Sequence, residues 1–255
     1  MPINDTEHFI LFSLVLMRMS GFILLNPIFG RKTIPGIVKS GMVIVLTVVV
    51  YSFSEGTIIE INTPIAYALL LLKEFAAGYV LGFVMQLFEM VITFAGGVID
   101  YQMGMSMATI YDPQSNAQIP LTGQIFYIYG MLLFFAVDGH LVLMRILLTS
   151  AQVVPFGEIA FTTNMAQAML DIFSQSILLA IKLAFPLIAV EFLTEVGVGI
   201  LMKMIPQINV FVINIQAKIL IGLIMLVFLF SPMSDFLRNL NDMMLKSVQE
   251  VLKLL

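Results

Sequence analysis

The sequence predicts an all-α, polytopic helical membrane protein, and three observations support that prediction. Of the 255 residues, 60% are hydrophobic and only 11% are charged, whereas soluble domains average about 45–50% apolar and about 25% charged residues. The mean hydropathy is +1.04, and the apolar residues fall in long segments. Alternating ten-residue strands, the signature of a membrane β-barrel, do not occur. Helices are expected because an open sheet leaves backbone groups unsatisfied in lipid.

Seven apolar segments are candidates for helices. A helix that spans the bilayer needs about 20 apolar residues. The third segment is long enough for one oversized helix or for two joined at 78–82, and the fifth is short, so we count six or seven helices. An amphipathic helix is also predicted over 235–255, where apolar residues recur at helical spacing between charges. The seven segments are 9–25, 37–53, 65–94, 121–137, 141–154, 165–190 and 210–230.

Charges near the first segments predict an orientation. Asp5 and Glu7 stand where a signal peptide would carry basic residues, so we expect the first segment to be retained. Arg31, Lys32 and Lys39 cluster between the first two segments, and the positive-inside rule places that loop in the cytoplasm. No repeat or linker divides residues 1–255, which we treat as a single domain.

Several charged residues lie inside the apolar segments, including Arg18, Lys73, Glu74 and Arg145. A charge at the centre of the bilayer costs about 2.5–3.5 kcal/mol on insertion scales, so such side chains usually face protein or water. Two interpretations follow. Either these residues form ion pairs within the chain, or much of the apolar surface contacts other subunits instead of lipid.

Composition argues against several classes of function. The net charge of −4 does not suit nucleic-acid binding, which needs clustered basic residues. The chain has no cysteine and only two histidines, so thiol catalysis and a histidine-rich metal site are not expected. HExxH, GxSxG, Walker and GxGxxG motifs are absent from the sequence. We therefore expect no enzymatic activity, no cofactor and no metal.

Gly78 and Gly82 have the GxxxG spacing that lets two helices approach closely. Glu74 lies on the same helical face, one turn earlier. This pattern predicts a polar contact beside a tight helix–helix seam, although a lone GxxxG also arises by chance in membrane helices.

The stretch 95–120 is too polar and glycine-rich for a lipid-facing helix, yet it keeps apolar side chains throughout. Gly96 and Gly97 permit a helix break, Asp112 and Pro113 start a turn, and Pro120 opens the next segment. Irregular backbone at membrane depth is tolerated where protein or a water-filled cavity surrounds it. Since Met103, Met105 and Met107 alternate and methionine is adaptable, the stretch is either a pore plug or a plain extramembrane loop.

Two further patterns indicate turns. Asp138, Gly139 and His140 link two short apolar segments, which favours a turn over a proton relay through the histidine. Pro206, Gln207 and Asn209 separate two long apolar segments, as expected at the tip of a helical hairpin.

In this order and spacing the motifs resemble the FliR family of flagellar type III export-gate subunits, which is related to a component of virulence injectisomes. The resemblance covers nearly the whole chain, and the Asp-Gly-His turn favours the flagellar branch. The matching residues are Arg18-Met19-Ser20-Gly21, Glu74 with Gly78 and Gly82, Gln102-Met103-Gly104 with Asp112-Pro113, Asp138-Gly139-His140, and Pro206-Gln207-Ile208-Asn209-Val210-Phe211.

The resemblance implies a subunit that assembles with FliP and FliQ into a closed helical ring, with FlhB on the cytoplasmic side. It implies a place in the bacterial inner membrane, in the flagellar basal body, and unfolded flagellar proteins as substrates. The N-terminal part, about 1–155, would resemble FliP, and the C-terminal hairpin, about 160–255, would resemble FliQ. Much of such a gate sits above the conventional bilayer plane.

The resemblance also implies roles for residues. The loop 104–120 would plug the pore, with Gly104, Asp112, Pro113 and Pro120 as its backbone frame. A methionine seal is our own hypothesis, since the family's gasket comes mainly from FliP; its lining would be Met103, Met105, Met107, Ile110 and Tyr111. Residues predicted to pack against neighbouring subunits are Arg18, Glu74, Gly78 and Gly82.

An independent secondary transporter or channel is the alternative. Glu74, Glu89 and His140 would then form a path for a coupling ion. Inverted repeats would support this alternative, and the sequence shows none.

Overall fold

The structure is a computed structural model that describes residues 5–54, 63–105, 110–112, 117–205 and 210–255. The predicted all-α class is confirmed. Two three-residue strands, β1 (Ile110–Asp112) and β2 (Ala117–Ile119), pair antiparallel in the connection between α3 and α4. The helices are α1 (Asp5–Leu25), α2 (Gly36–Ser52), α3 (Pro64–Gln102), α4 (Leu121–Ala136), α5 (Gly139–Val153), α6 (Thr163–Met204), α7 (Val210–Phe228) and α8 (Phe230–Leu254).

Two helices are much longer than a membrane span. The third apolar segment forms one continuous helix, α3, of 39 residues, and α6 has 42 residues. At about 1.5 Å per residue each is roughly 60 Å long, about twice the ~30 Å hydrocarbon core of a bilayer. The glycine pair at 96–97, expected to permit a break, lies inside α3 without interrupting it.

Among the described residues, three helices are long and apolar enough to cross a membrane, namely α1, α3 and α6. The number rises to five if each of two bent pairs, α4 with α5 and α7 with α8, counts as one span. Helix α2 is apolar but shorter. Length and composition therefore support a polytopic membrane protein.

The chain forms two compact units that interleave along the sequence. The first comprises the described residues within 1–88, 135–173 and 242–255. Its core includes one face of α1, where buried residues recur every three or four positions, as in an amphipathic helix with one packed stripe. These residues are Leu11, Leu14, Val15, Arg18, Met19 and Phe22.

The second unit comprises the described residues within 89–134 and 174–241. Here α6 and α7 pair as a hairpin: Lys218 Nζ lies 3.2 Å from Glu195 Oε1. Four residues further from the predicted tip than this ion pair, Gly222 of α7 lies beside Glu191 of α6. The contacts therefore run antiparallel. The tip residues Pro206, Gln207 and Asn209 fall outside the described residues.

The C-terminal helix α8 begins at Phe230, five residues before the predicted amphipathic helix. Its buried residues recur at intervals of three or four, while charged residues between them are exposed, so its amphipathic character agrees with the prediction. The buried stripe consists of Met233, Leu237, Leu240, Met244, Val248 and Val251.

Candidate functional site

A buried ion pair links α1 to α3 in the first unit. Arg18 Nε donates to Glu74 Oε2 at 2.6 Å, and Arg18 Nη2 donates to Glu74 Oε1 at 3.3 Å. Arg18 is 1% exposed and Glu74 is fully buried. Such a two-point contact gives geometric specificity as well as energy. It also satisfies two charges that would otherwise be costly in an apolar interior.

The end of α5 and the following loop complete the surroundings of this pair. Arg18 Nη1 donates to the carbonyl oxygens of Ser150 and Val154 at 3.3 and 3.1 Å. The Gly157 amide donates to Glu74 Oε1 at 2.7 Å. The Arg18 guanidinium carbon lies 4.1 Å from the centroid of the Phe156 ring. The pair therefore holds three segments of the chain together.

Glycines bring the backbones of α1 and α3 into contact beside the pair. A Cβ at Gly78 would stand 1.9 Å from the Arg18 carbonyl oxygen. A Cβ at Gly21 would stand 2.1 Å from the Phe75 carbonyl oxygen, and one at Gly82 would stand 2.7 Å from that of Phe22. These positions admit no side chain while the helices stay at this distance.

The predicted seam is therefore occupied within the chain. We expected Arg18, Glu74, Gly78 and Gly82 to pack against neighbouring subunits, whereas the structure places all four in the contact between α1 and α3. The physical reason is that a buried carboxylate needs an opposite charge, and Arg18 of the same chain lies close enough to Glu74 to supply it. For this pair, the interpretation as an ion pair within the chain is the one the structure supports.

A second constellation, in the second unit, clamps the base of the loop between α3 and α4. The Asp100 carboxylate, 2% exposed, accepts hydrogen bonds from the Thr122 amide at 3.2 Å and from the Thr122 hydroxyl. Thr122 lies in the first turn of α4, where backbone amides lack helical partners and favour a negative charge. Asp100 thus caps α4 from the last turn of α3.

The two helices also touch through glycines next to this clamp. A Cβ at Gly96 would stand 2.1 Å from the Gly123 Cα. Gly96 therefore serves close approach instead of a helix break, because a position without a Cβ lets α4 pass directly over α3, whereas a Cβ at Gly97 would meet only the Pro120 side chain at 3.4 Å. The stems of the loop are held together by backbone packing and by a buried carboxylate.

The loop leaves α3 through Gly104, whose φ of +73° is a left-handed conformation that favours glycine. Met103 is fully buried, and its side chain lies beside Gly222 of α7, while Met105 is half-buried. Pro120 directly precedes α4, and its carbonyl oxygen accepts from the Gln124 amide at 2.9 Å.

Between these ends, β1 and β2 pair with Ile110 opposite Ile119, Tyr111 opposite Gln118 and Asp112 opposite Ala117. Met107 and Pro113 lie outside the described residues, and only the backbone of Ile110, Tyr111 and Asp112 is described. The seal-lining role of these side chains stays a prediction.

A turn lies at Asp138 and Gly139. Asp138 has a left-handed backbone (φ 57°), and its carbonyl oxygen accepts from the Leu141 amide at 2.9 Å. His140 is the second residue of α5 and lies against the Phe135 ring, with ring centroids 5.2 Å apart. Its Nδ1 atom is buried and has no hydrogen-bond partner among the described residues.

Among the described residues, no three His, Asp or Glu side chains are grouped so that they could hold a metal ion. Glu191 is 1% exposed, and neither of its carboxylate oxygens has a hydrogen-bond partner within the described part of the chain. The Arg18–Glu74 pair joins α1 and α3 to the end of α5, and the Asp100–Thr122 contact holds the base of the loop between α3 and α4.

Sequence reasoning did not identify Thr122, nor the segment from Ser150 to Gly157, as partners of these charges. Thr122 carried no such signal, because a Thr marks a helix start when it precedes the first helical residue, and Thr122 follows it. The contacts of Arg18 with Ser150 and Val154 involve carbonyl oxygens, which every residue has. No side-chain pattern could have marked those two positions.

Replacing Asp100 by alanine is expected to loosen the base of the loop. The buried Thr122 amide and hydroxyl would lose their acceptor, at a cost of about 1–3 kcal/mol. Limited proteolysis of the purified protein should then cut within 105–119 faster than in the wild type. Asp171→Ala, which removes an exposed carboxylate from α6, is the control. Equal cleavage of the two variants would contradict the clamp.

Fold and sites together define a polytopic, helical membrane protein built around a clamped loop. The chain matches the family model for bacterial export proteins, family 1, over residues 9–244, and it belongs to that family.

Individual relatives agree with this assignment. The flagellar biosynthetic protein FliR of Bacillus subtilis (strain 168) is 31% identical, and the match covers 95% of each chain. FliR of Escherichia coli (strain K12) is 28% identical over 88% of this chain and 86% of its own. The Yop proteins translocation protein T of Yersinia pestis is 29% identical over 85% of this chain and 84% of its own. The resemblance to the FliR family is thereby confirmed.

Proposed function

We propose that this chain is a core subunit of the flagellar type III protein export gate, and that the α3–α4 loop forms part of the plug of its pore. The clamped base of that loop is the observation on which the proposal rests. Membership of a bacterial export family and the FliR relatives support the general role. The pore and the plug are inferred from the loop.

A plug needs a base that stays in place and a tip that yields. The Asp100–Thr122 contact and the Gly96–Gly123 crossing supply the base. The tip is held, within the described residues, by a hairpin of only three residue pairs. So short a two-stranded hairpin is only marginally stable in water. A modest force from an incoming unfolded chain could therefore open it.

Exposed apolar surface supports assembly with other subunits. Several large apolar side chains of α6 are more than a third exposed, and the helix is about twice as long as the bilayer core. Contiguous exposed apolar patches mark contacts with protein or membrane. We propose that FliP and FliQ cover this surface in the inner membrane at the flagellar basal body, and that FlhB joins on the cytoplasmic side. The exposed residues include Phe173, Phe185, Phe192, Leu193, Ile200 and Leu201.

Deleting residues 114–118 from the loop tests the plug. In cells that express the whole gate, we expect the deletion to raise small-ion leak across the inner membrane, because the tip would no longer block the pore. The measurement is the membrane potential, followed with a voltage-sensitive dye, together with single-channel conductance of purified gates.

The matched control removes five residues, 56–60, from the connection between α2 and α3. Co-purification with FliP and FliQ would show that both deletion variants assemble. An assembled gate that lacks 114–118 and leaks no more than the control would refute the plug, while leaving the subunit assignment open to the co-purification result. Failure of the wild-type chain to co-purify with FliP and FliQ would refute the assignment.

A further inference from the structure

An apolar cavity of about 500 Å³ lies between α2 and α5 in the first unit. Its volume falls within the range of pockets that bind small ligands. Among the residues that line it, His140 is the only one with a polar side chain. The wall from α2 follows one helical face for about 12 Å. Its main lining residues are Val38, Met42, Val45, Leu46, Leu143 and Leu147.

Basic residues stand at one end of this cavity. Phe29 and Val38 line that end, and the residues that follow them in sequence, Gly30 and Lys39, are joined by a hydrogen bond: Lys39 Nζ donates to the Gly30 carbonyl oxygen at 2.9 Å. Arg31 and Lys32 come directly after Gly30, and Lys32 is exposed. No acidic residue occurs in the sequence between Glu7 and Glu55. Lys32 and Lys39 therefore bring positive charge to this end of the cavity, while the acidic residue nearest in sequence to a lining residue is Asp138, two positions before His140.

Hydrogen bonds fix the segment 26–30, which directly precedes the basic residues Arg31 and Lys32. Asn26 is 1% exposed, and its side-chain oxygen accepts from the amides of Ile28 and Phe29 at 2.8 and 2.9 Å. The Gly30 amide donates to the Asn26 carbonyl oxygen at 2.7 Å. A preformed loop does not lose conformational freedom again when a ligand binds.

We propose that this cavity binds one acyl chain of an anionic phospholipid, with the phosphate held near Lys32 and Lys39. An apolar slot with cations at one end matches the two halves of such a lipid. Basic pockets between membrane helices are known to suit anionic head groups. Val38 and Val45 are 49% and 62% exposed, so the slot is open along one side and an acyl chain could enter there. The proposal does not depend on the plug.

Gly41 provides a way to fill the cavity. It lines the pocket, and a Cβ built on it meets no atom within 4 Å. Gly41→Phe should therefore occupy the slot without displacing the backbone. Gly36→Phe is the matched control, because Gly36 lies on the same helix with equal free space and does not line the cavity.

The test uses the full gate, purified with its partner subunits, delipidated, and offered phosphatidylglycerol or phosphatidylcholine of the same acyl chains. Native mass spectrometry counts the lipids retained. We expect Gly41→Phe to lose about one retained phosphatidylglycerol per copy of this chain relative to Gly36→Phe. Equal retention by the two variants would overturn the site.

A second pair of variants leaves the apolar wall intact, so the proposal stays testable if Gly41→Phe does not assemble. The double variant Lys32→Gln/Lys39→Gln should lower the preference for phosphatidylglycerol over phosphatidylcholine by roughly fivefold per lysine. Lys246→Gln/Lys253→Gln removes two exposed cations from α8 and is the control. If Lys32→Gln/Lys39→Gln left the preference for phosphatidylglycerol unchanged, the two lysines would not hold the phosphate. A photo-reactive residue placed at position 144 that captured a partner subunit instead of phospholipid would show that a protein chain, not a lipid, fills the cavity.

Discussion

Replacing Glu74 by leucine is expected to destabilise the protein by about 3–5 kcal/mol, because it leaves the Arg18 guanidinium charged and buried. Arginine side chains keep their charge in proteins, so the cost of the unpaired charge remains. The remaining acceptors of Arg18, the Ser150 and Val154 carbonyl oxygens, carry no formal charge. The measurement is thermal unfolding of the full-length chain, purified with its partner subunits, monitored by loss of the folded peak in size-exclusion chromatography.

The double variant Arg18→Leu/Glu74→Leu tests whether the unpaired charge of Arg18, and not lost packing, causes the effect of Glu74→Leu. It removes both ions, so it should be more stable than Glu74→Leu alone, as happens when a buried pair is replaced by apolar groups. It should still be less stable than the wild type, because Glu74 also accepts from the partly buried Gly157 amide. A double variant no better than Glu74→Leu would show that the ion pair does not account for the effect.

Replacing Gly78 by alanine is the second large perturbation. The new Cβ would meet the Arg18 carbonyl oxygen at 1.9 Å and the Phe22 amide nitrogen at 2.8 Å. Both are backbone atoms, so α1 and α3 must move apart and no rotamer change can relieve the contact. We expect a loss of about 1–3 kcal/mol from overpacking. The same shift should lengthen the Arg18–Glu74 contact. Thermal unfolding and the yield of assembled gate measure the effect.

Gly41→Ala is the matched control for this variant. Gly41 also lies within a helix of the first unit, but a Cβ there meets nothing within 4 Å. Alanine should stabilise that position by about 0.5–1 kcal/mol, because it lowers the entropy cost of the helix. An equal effect of Gly78→Ala and Gly41→Ala would contradict direct backbone contact between α1 and α3 at Gly78.

These expectations follow from contacts that the sequence showed only in part. The spacing of Glu74, Gly78 and Gly82 predicted a polar group beside a close helix–helix contact, and this feature is present. The predicted partner was a neighbouring subunit, whereas Gly78 packs on α1 of the same chain. Helical spacing shows which residues share a face, but it carries no information about what covers that face.

The loop between α3 and α4 was likewise predicted only in part. Local backbone preferences permitted a helix break at Gly96 and Gly97 and predicted a turn at Asp112 and Pro113. The break does not occur, since α3 continues to Gln102, and Pro113 lies outside the described residues. The clamp does not follow from such preferences. Asp100 and Thr122 are 22 residues apart, and an aspartate near a loop suits a solvated position as well as a cap. Only the crossing of α3 over α4 at Gly96 and Gly123 brings the carboxylate to the amide.

Composition and periodicity were sufficient to establish an apolar, helical membrane chain and the approximate positions of most of its helices, because these properties depend on neighbours in sequence. They did not establish the full length of the two longest helices, since the predicted segments 65–94 and 165–190 continue to Gln102 and Met204. The choice of partner for each buried charge required the three-dimensional packing. Arg18 and Glu74 are 56 residues apart, and the energy of their contact depends on distance and burial. Neither quantity exists until α1 and α3 lie side by side.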